Sequence, residues 1–151
     1  MPGSMKKFNK SRAKDINIEK AISEKKQKLT YFAFNDPALN GFSKELSEFR
    51  DENRKCYIKY KKDMETTTLE NILDNYLPKG QDIYFLSIDV EGLEYQVLKS
   101  NNFNKYRPKV ILVEVLSDKF EEIESNDITK YLKTYNYSII AKTVNTVFYK
   151  D

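Results

Sequence analysis

Two nearly continuous apolar runs on either side of a helical pattern constrain the fold of this chain more than any other feature. Residues 83–88 (IYFLSI) and 108–115 (PKVILVEV) have the composition of strands that are buried on both faces of a parallel sheet. From Gly92 onward, Leu93, Val97 and Leu98 recur at the spacing of a helix that turns one face inward. A strand, a helix and a strand within about thirty residues form a crossover unit. The sequence therefore predicts an α/β fold with two parallel strands.

The segments before this unit predict an antiparallel addition to the fold. Residues 29–34 (LTYFAF) and 56–61 (CYIKYK) are rich in aromatic and β-branched side chains, which favours two antiparallel strands. Residues 16–22 contain a weaker apolar pattern that indicates a further short strand. Residues 35–43 are dense in turn formers and predict a loop. The charged run that follows, up to Arg54, indicates no particular element.

The clearest helix signal in the chain begins at Thr67. Thr67 and Glu70 have the spacing of a capping box, and Pro78 and Gly80 end the pattern. The apolar residues between them repeat at the spacing of one buried face; they are Leu69, Ile72, Leu73, Tyr76 and Leu77.

The last part of the chain predicts a helix followed by an antiparallel hairpin. Asn126 and Asp127 have the residue types of a helix cap. The apolar face behind this cap is formed by Ile128, Tyr131, Leu132 and Tyr135. Residues 137–141 and 146–149 predict two strands, and the residues between them suit a hairpin turn. The chain is therefore predicted to end with an antiparallel pair of strands that is added to the parallel sheet.

Composition narrows the chemistry that such a fold can carry. The 151 residues suit one globular domain, and a net charge of +3 gives little reason to expect a nucleic acid partner. The lone Cys56 excludes an internal disulfide and a thiolate metal cluster, and the absence of histidine removes the commonest general base and metal ligand. Nothing resembles a secretion signal or an apolar membrane span, so we expect a cytoplasmic protein without membrane contact. Its acid–base chemistry must come from Asp, Glu, Lys or Tyr.

The chain divides into three expected parts. Residues 1–4 (MPGS) resemble a cloning remnant in front of a second methionine, Met5. Residues 5–14 form a basic leader, and residues 15–151 form the domain itself.

Three carboxylates stand directly after the first apolar run, in the sequence LSIDVEGLE. Glu91 and Glu94 can oppose the positive end of a helix dipole, which contributes about 0.3 to 1 kcal/mol each, and this is the preferred interpretation of Glu94. Asp89 is the first polar side chain after the buried strand, so it is either a helix cap or a site residue. Glu114 closes the second strand in the same manner and faces either a shared crevice or solvent. Gly92 suits a tight strand-to-helix turn.

The motifs TLENIL, FLSIDVEGLEYQVLKS, RPKVILVEV and NYSIIAKTVNTVFYKD, in this order, resemble the C-terminal half of FkbM-type methyltransferases. The resemblance extends over residues 15–151, because INIEKAIS and KLTYFAFNDPALNGFS are similar to the segments that precede this half. It implies a Rossmann-like class I methyltransferase that moves a methyl group from S-adenosylmethionine to a hydroxyl of a sugar or of a secondary metabolite.

The family's sheet has seven strands in the order 3-2-1-4-5-7-6, with the last strand antiparallel. On that map residues 83–88 are the fourth strand, residues 110–115 the fifth, and the terminal hairpin the sixth and seventh. Ligands of such sheets bind where the strand order reverses, here between the first and fourth strands. The resemblance therefore makes Asp89 the first candidate for the general base on a substrate hydroxyl, or for a metal ligand, with Glu91 second.

Further candidates for substrate binding lie in the loops, although a turn role is the preferred interpretation of each. Asn35, Asp36 and Asn40 belong to the predicted loop before the charged run, and Asn145 belongs to the terminal hairpin. Glu114 is a further candidate.

The family's cofactor lies on a glycine-rich turn after the first strand, and an acidic residue after the second strand binds the ribose of the cofactor. Neither feature is found here, because the four glycines, Gly3, Gly41, Gly80 and Gly92, are far apart. We identify no cofactor-binding residue, and we expect a truncated sheet that lacks the first two strands. Binding of S-adenosylmethionine by this chain alone is then not expected.

Loss of those strands would leave the strand at residues 83–88 with an unpaired edge. Such an edge is a template for another chain, so we expect a homo-oligomer that covers it. Two functions remain open. The chain is a methyltransferase, or it is an inactive fragment that acts as an oligomerising or partner-binding module.

Overall fold

The computed structural model describes residues 2–52 and 55–151. Its strands are β1 (Ala21–Ile22), β2 (Lys28–Phe34), β3 (Ile58–Thr67), β4 (Phe85–Ile88), β5 (Val110–Glu114), β6 (Ser138–Lys142) and β7 (Thr146–Lys150). Its α-helices are α1 (Met5–Ser11), α2 (Lys44–Glu52), α3 (Leu69–Tyr76), α4 (Glu94–Lys99), α5 (Phe120–Ser125) and α6 (Asp127–Lys133). A short 3-10 helix spans Pro37–Leu39. No helix in these two ranges is long and apolar enough to cross a bilayer.

The strands form two sheets, so the chain is a mixed α/β protein. The larger sheet has the order β4-β5-β7-β6. β4 and β5 are parallel and are joined through α4, as the predicted crossover unit requires. β7 runs antiparallel to both β5 and β6. In the described part of the chain, β4 is therefore an edge strand with β5 as its only neighbour.

The smaller sheet has the order β1-β3-β2. β2 and β3 are antiparallel, which confirms the predicted antiparallel pair. β3 begins at Ile58 and continues to Thr67, beyond the predicted end of the strand at residue 61. The predicted helix start at Thr67 is therefore one residue early: Thr67 ends β3, and Thr68 caps α3 by accepting a hydrogen bond from the Asn71 amide at 3.1 Å. β1 pairs in parallel with β3 through two residues, and Ile16 lies outside it.

The core lies against one face of the larger sheet. Ile88, Ile111, Val113, Val147 and Tyr149 point to this face, because the strand register places alternate residues together. Helices α3 to α6 cover it with Leu69, Val97, Leu98, Ile123, Ile128 and Leu132. The helix predicted behind Asn126 is confirmed as α6, with the Asn126 side chain accepting from the Ile128 amide at 2.8 Å.

The prediction that residues 83–88 are buried on both faces is wrong. Tyr84 and Phe85 are 64% and 67% exposed, and Ser87 is exposed as well. The face opposite the core carries Phe85, Leu112 and Phe148, and its side chains on β4, β5 and β7 are half-buried or exposed. All four covering helices lie on one side of the sheet. β4 therefore has more apolar side chains than the described residues bury.

Helices α1, α2 and α5 were not predicted, because their segments contain no strong helical pattern of apolar residues. α2 lies in the charged run after the predicted loop, and its only buried residue is Ser47; α1 has no buried residue. Asn53 and Arg54, which end that run, and Met1 of the expected remnant lie outside the described residues.

Candidate functional site

The turn between β4 and α4 adopts a backbone conformation that few residues tolerate. Glu91 and Gly92 both have positive φ, 57° and 97°, in the left-handed region that glycine enters most easily. A Cβ on Gly92 would lie 3.2 Å from the Ser43 Cβ and 3.3 Å from the Leu46 Cδ2. The glycine therefore serves both the backbone conformation and close packing of this turn against the start of α2.

Glu94 stabilises this turn through hydrogen bonds that its carboxylate accepts from the backbone. Its side chain is only 7% exposed. Its carboxylate accepts hydrogen bonds from the Val90 amide at 3.0 Å and from the Gly92 amide at 3.1 Å. These two N–H groups would otherwise be left unpaired in a partly buried turn. Glu94 thus fixes the direction of the preceding residues, including Asp89.

Asp89, Glu91 and Glu114 come together at the carboxyl ends of β4 and β5. One carboxylate oxygen from each lies within 4.8 Å of the others. Asp89 is exposed, whereas Glu91 and Glu114 are half-buried. The parallel pairing of Ile88 with Val113 brings the two strand ends side by side. Oxygens at this spacing suit a hard cation, but Glu91 already has a cationic partner in the protein.

Arg50 of α2 is that partner. Its Nη2 lies 2.6 Å from the Glu91 Oε2, and both side chains are largely buried. Its Nη1 donates to the Leu39 carbonyl oxygen at 3.3 Å. Sequence reasoning gives Arg50 no role, because the pairing joins residues far apart in the chain. Of the three acids, Glu91 is therefore the one that is neutralised and held in place.

Burial raises the pKa of Glu114 above its ordinary value, and the charges of Asp89, Glu91 and Glu94 raise it further. The Arg50 guanidinium lowers it. A carboxyl group among other acids takes up a proton more readily because a second negative charge is unfavourable there. Glu114 thus holds a proton more readily than an isolated glutamic acid does.

The remaining predicted residues fall into two groups. Asn145 lies at the same end of the sheet, since its carbonyl oxygen accepts from the Val115 amide at 2.8 Å. Asn35 binds the Tyr57 amide through its side chain, and Asp36 caps the 3-10 helix through the Ala38 amide. These two residues stabilise turns and do not line the crevice described next.

A crevice of about 460 Å³ lies beside Asp89, between the two sheets. One wall is formed by β1 and by residues of β2 and the loop after it; the other is formed by β4 and α4. Most of the lining is apolar, including Ile22, Phe42, Leu69, Leu86, Ile88 and Val97. The polar groups at its edges are Lys20, Asn40, Ser87 and Asp89.

Tyr31 belongs to this lining and was given no role by sequence reasoning. The residue is 3% exposed, and its hydroxyl oxygen is buried. Burial raises the pKa of Tyr31, Tyr60 adds to this effect, and the nearby Asn40 side chain lowers it. The Asn40 oxygen accepts from the Phe34 amide at 2.7 Å, so the group of Asn40 that lowers the pKa of Tyr31 by hydrogen bonding is its side-chain N–H.

Comparison with known proteins gives one match. A family model described as the Methyltransferase FkbM domain matches residues 5–139, most of the chain. No curated protein and no solved structure matches the chain.

Proposed function

Because the chain belongs to the FkbM methyltransferase family, we propose that it takes part in transfer of a methyl group to a hydroxyl of a sugar or of a secondary metabolite. The family generally depends on S-adenosylmethionine. The observation that supports the proposal is the meeting of Asp89 and Glu114 at the carboxyl ends of two parallel strands, beside a crevice. Ligands of open α/β sheets bind at these strand ends.

In this proposal the larger sheet corresponds to strands four to seven of the family's sheet. Its order, β4-β5-β7-β6, is the order 4-5-7-6 that the resemblance implies for these strands. β4 would then lie beside the position of the family's first strand. The crevice occupies that side of β4.

The proposed role of the acids is to orient the acceptor hydroxyl and to take its proton. Asp89 is exposed at the rim of the crevice and is the group that an acceptor reaches first. Glu114 lies within reach of it, and its raised pKa brings its basicity closer to neutral pH, where a general base works best. Glu91, fixed by Arg50, keeps the turn in place.

The crevice lining does not fit S-adenosylmethionine by itself. Gly41 is the one glycine in the lining, and the space of its missing Cβ lies 3.2 Å from the Glu91 Cβ. The side of Gly41 that lacks a Cβ therefore packs against the acidic turn, and no ligand can approach its backbone from there. The lining contains one carboxylate, Asp89, which is assigned here to the acceptor, so none remains for ribose hydroxyls. We assign to this chain the acceptor side of the reaction and derive no step through the methyl donor.

The second candidate function is a partner-binding or oligomerising module without catalysis. The free edge of β4 and the exposed aromatic rings of Tyr84 and Phe85 favour it. Exposed strand edges pair readily with other chains, and contiguous exposed apolar groups mark interaction surfaces. A homo-oligomer through this edge belongs to this candidate.

A transfer assay separates the two candidates. The purified protein is incubated with tritium-labelled S-adenosylmethionine and a panel of sugars and hydroxylated secondary metabolites. Methyl transfer that falls about 100-fold or more in Asp89→Asn, but not in Asp82→Asn, which precedes β4, supports the first candidate. Transfer that is unchanged in Asp89→Asn contradicts the role of this residue. If no label is transferred and calorimetric titration with S-adenosylmethionine gives no heat, the chain by itself neither transfers the methyl group nor binds the donor, as the second candidate predicts.

A further inference from the structure

The charges of this protein are divided unequally between its two sheets. Residues 5–34 and 55–67, which include the smaller sheet, contain 13 basic and 5 acidic side chains, a net charge of +8. Residues 68–151, which include the larger sheet, contain 10 basic and 13 acidic side chains, a net charge of −3. Residues 35–54 account for the rest of the overall +3. Because the crevice lies between the two sheets, one of its walls belongs to a strongly cationic part of the protein.

Lys20 places one of these positive charges at the crevice. It directly precedes β1, it is exposed, and it lines the crevice on the wall of β1. It also lines an adjoining cavity of about 530 Å³, together with Lys26. Within residues 2–52 and 55–151, neither of these lysines forms an ion pair. The ammonium group of Lys20 is therefore available to bind an anion.

Asp89 contributes the negative charge of the crevice lining, and it belongs to the wall of β4 and α4. In the part of the chain that the structure describes, Asp89 forms no ion pair with Lys20 or with any other cation. Under the first candidate function, Asp89 orients the acceptor hydroxyl and takes its proton. A ligand that contacts both walls therefore meets a carboxylate on one of them and an ammonium group on the other.

The remaining lining suits an apolar body better than a sugar ring. Its side chains are mostly aliphatic or aromatic, and the uncharged polar ones are few, mainly Asn40 and Ser87. The side chain of Asn40 is already occupied, because its oxygen accepts from the Phe34 amide and its N–H bonds to Tyr31. A sugar carries hydroxyl groups on most of its carbons, and burial of a hydroxyl without a partner is unfavourable. The walls therefore favour an apolar ring or chain.

We propose that the acceptor bound in this crevice is a hydroxylated apolar acid, that is, a secondary metabolite with a carboxylate and a hydroxyl on an apolar body. The carboxylate binds Lys20, the body packs on the apolar walls, and the hydroxyl is directed to Asp89. This inference rests on the first candidate function above and names the class of its substrate. The two charges also fix the orientation of the acceptor, because a carboxylate placed beside Asp89 would be repelled. The cationic part of the protein attracts such an acid before it binds.

The test compares para-hydroxyphenylacetate with tyrosol, the alcohol that has a hydroxymethyl group in place of the carboxylate. Each compound is titrated into the full chain without a methyl donor. The protein carries carbon-13 labels on its Ile, Leu and Val methyl groups, so that shifts of Ile22, Leu86 and Ile88, which line the crevice, report binding there. The parent is expected to bind the acid about 5-fold or more tightly than the alcohol, as one ion pair at an exposed lysine allows. This preference should decrease as salt is added.

Lys20→Met is expected to bind the acid and the alcohol alike, with its affinity for the alcohol unchanged. Lys20 is exposed and forms no ion pair among the described residues, so its replacement should leave the fold intact. Lys20→Arg keeps the charge and should keep the preference for the acid. Lys130→Met is the matched control and should keep it too, since Lys130 is exposed on α6 and lies outside the crevice lining.

Glucuronate and glucose form a second pair with the same exchange of carboxylate for hydroxymethyl, on a sugar body. Both are expected to bind more weakly than para-hydroxyphenylacetate, because the apolar walls leave their hydroxyl groups without partners. This pair separates the contribution of the charge from that of the apolar body.

Equal binding of the acid and the alcohol by the parent would overturn the inference. A preference for the acid that Lys20→Met keeps, or that Lys130→Met loses, would overturn it as well. Tighter binding of glucuronate than of para-hydroxyphenylacetate would make a sugar acid the occupant, and an absence of shifts with all four compounds would also contradict the proposal. None of these readouts involves methyl transfer, so the transfer assay decides the first candidate separately.

Discussion

Arg50 and Glu91 lie 41 residues apart in the chain and form an ion pair with an Nη2–Oε2 distance of 2.6 Å. Their side chains are only 18% and 20% exposed. The pair joins α2 to the turn after β4, where Glu91 has a positive φ. The position of the acidic group therefore depends on a helix that β3, α3 and β4 separate from it in the chain.

Arg50→Met is expected to destabilise the protein by about 2 to 4 kcal/mol, because it leaves the Glu91 carboxylate unpaired beside two other acids. The free energy of unfolding from urea denaturation measures this. Arg12→Met is the control, since Arg12 pairs with Asp15 at an exposed position and such pairs contribute about 1 kcal/mol or less. Equal losses in the two variants would show that the Arg50 pair is no more than a surface contact.

Gly92→Ala and Gly80→Ala separate backbone strain from packing. Both glycines have positive φ, but a Cβ at Gly80 meets nothing within 4 Å, whereas at Gly92 it meets Ser43 and Leu46. We expect a loss of about 1 kcal/mol for Gly80→Ala from the left-handed backbone and about 2 to 4 kcal/mol for Gly92→Ala, where overpacking adds to it. Thermal and urea unfolding measure both. Similar losses would mean that the turn after β4 is not packed as described.

Glu94→Ala is expected to cost about 2 to 4 kcal/mol, since it leaves the Val90 and Gly92 amides without their acceptor. Glu94→Gln keeps one acceptor oxygen and should fall between Glu94→Ala and the parent. Glu121→Ala, in the first turn of α5 and exposed, is the control and should change stability little. If Glu94→Ala unfolds at the same urea concentration as Glu121→Ala, the structural role of Glu94 is wrong.

Glu114 gives the protein a pH-dependent stability that its removal should abolish. Its pKa is raised on folding, first by burial and then by the neighbouring acids. The folded state therefore binds more protons than the unfolded state between the ordinary pKa of 4.5 and the raised value. The free energy of unfolding therefore falls as pH rises through that window, and it increases again as pH falls through it.

Glu114→Gln should flatten this slope in urea midpoints measured from pH 4.5 to 7.5, while Glu121→Gln should retain it. Asp89→Asn should lower the pKa of Glu114, because it removes one of the charges that raise it; carbon-13 NMR of the labelled carboxyl group measures this. A Glu114 pKa that stays the same in Asp89→Asn would place the two acids too far apart to interact.

Much of the local structure followed from the sequence. The crossover unit, the antiparallel pair β2–β3 and the cap of α6 were all predictable, because apolar periodicity and capping chemistry act within a few residues. The juxtaposition of Asp89 and Glu114 was left open, although each follows a predicted strand. Only the parallel register of β4 with β5 brings their oxygens together.

The sequence by itself determined the strands, the helices α3, α4 and α6, the acids at the strand ends and the family resemblance, since these depend on local patterns. The tertiary structure alone decided three further features. Arg50 neutralises Glu91, and Thr68 rather than Thr67 caps α3 because β3 extends further than its alternation indicated. Within residues 2–52 and 55–151, nothing covers one face and one edge of β4. Pairing and burial depend on which distant elements contact a residue. The sequence around a residue indicates only which side chains are suited to burial.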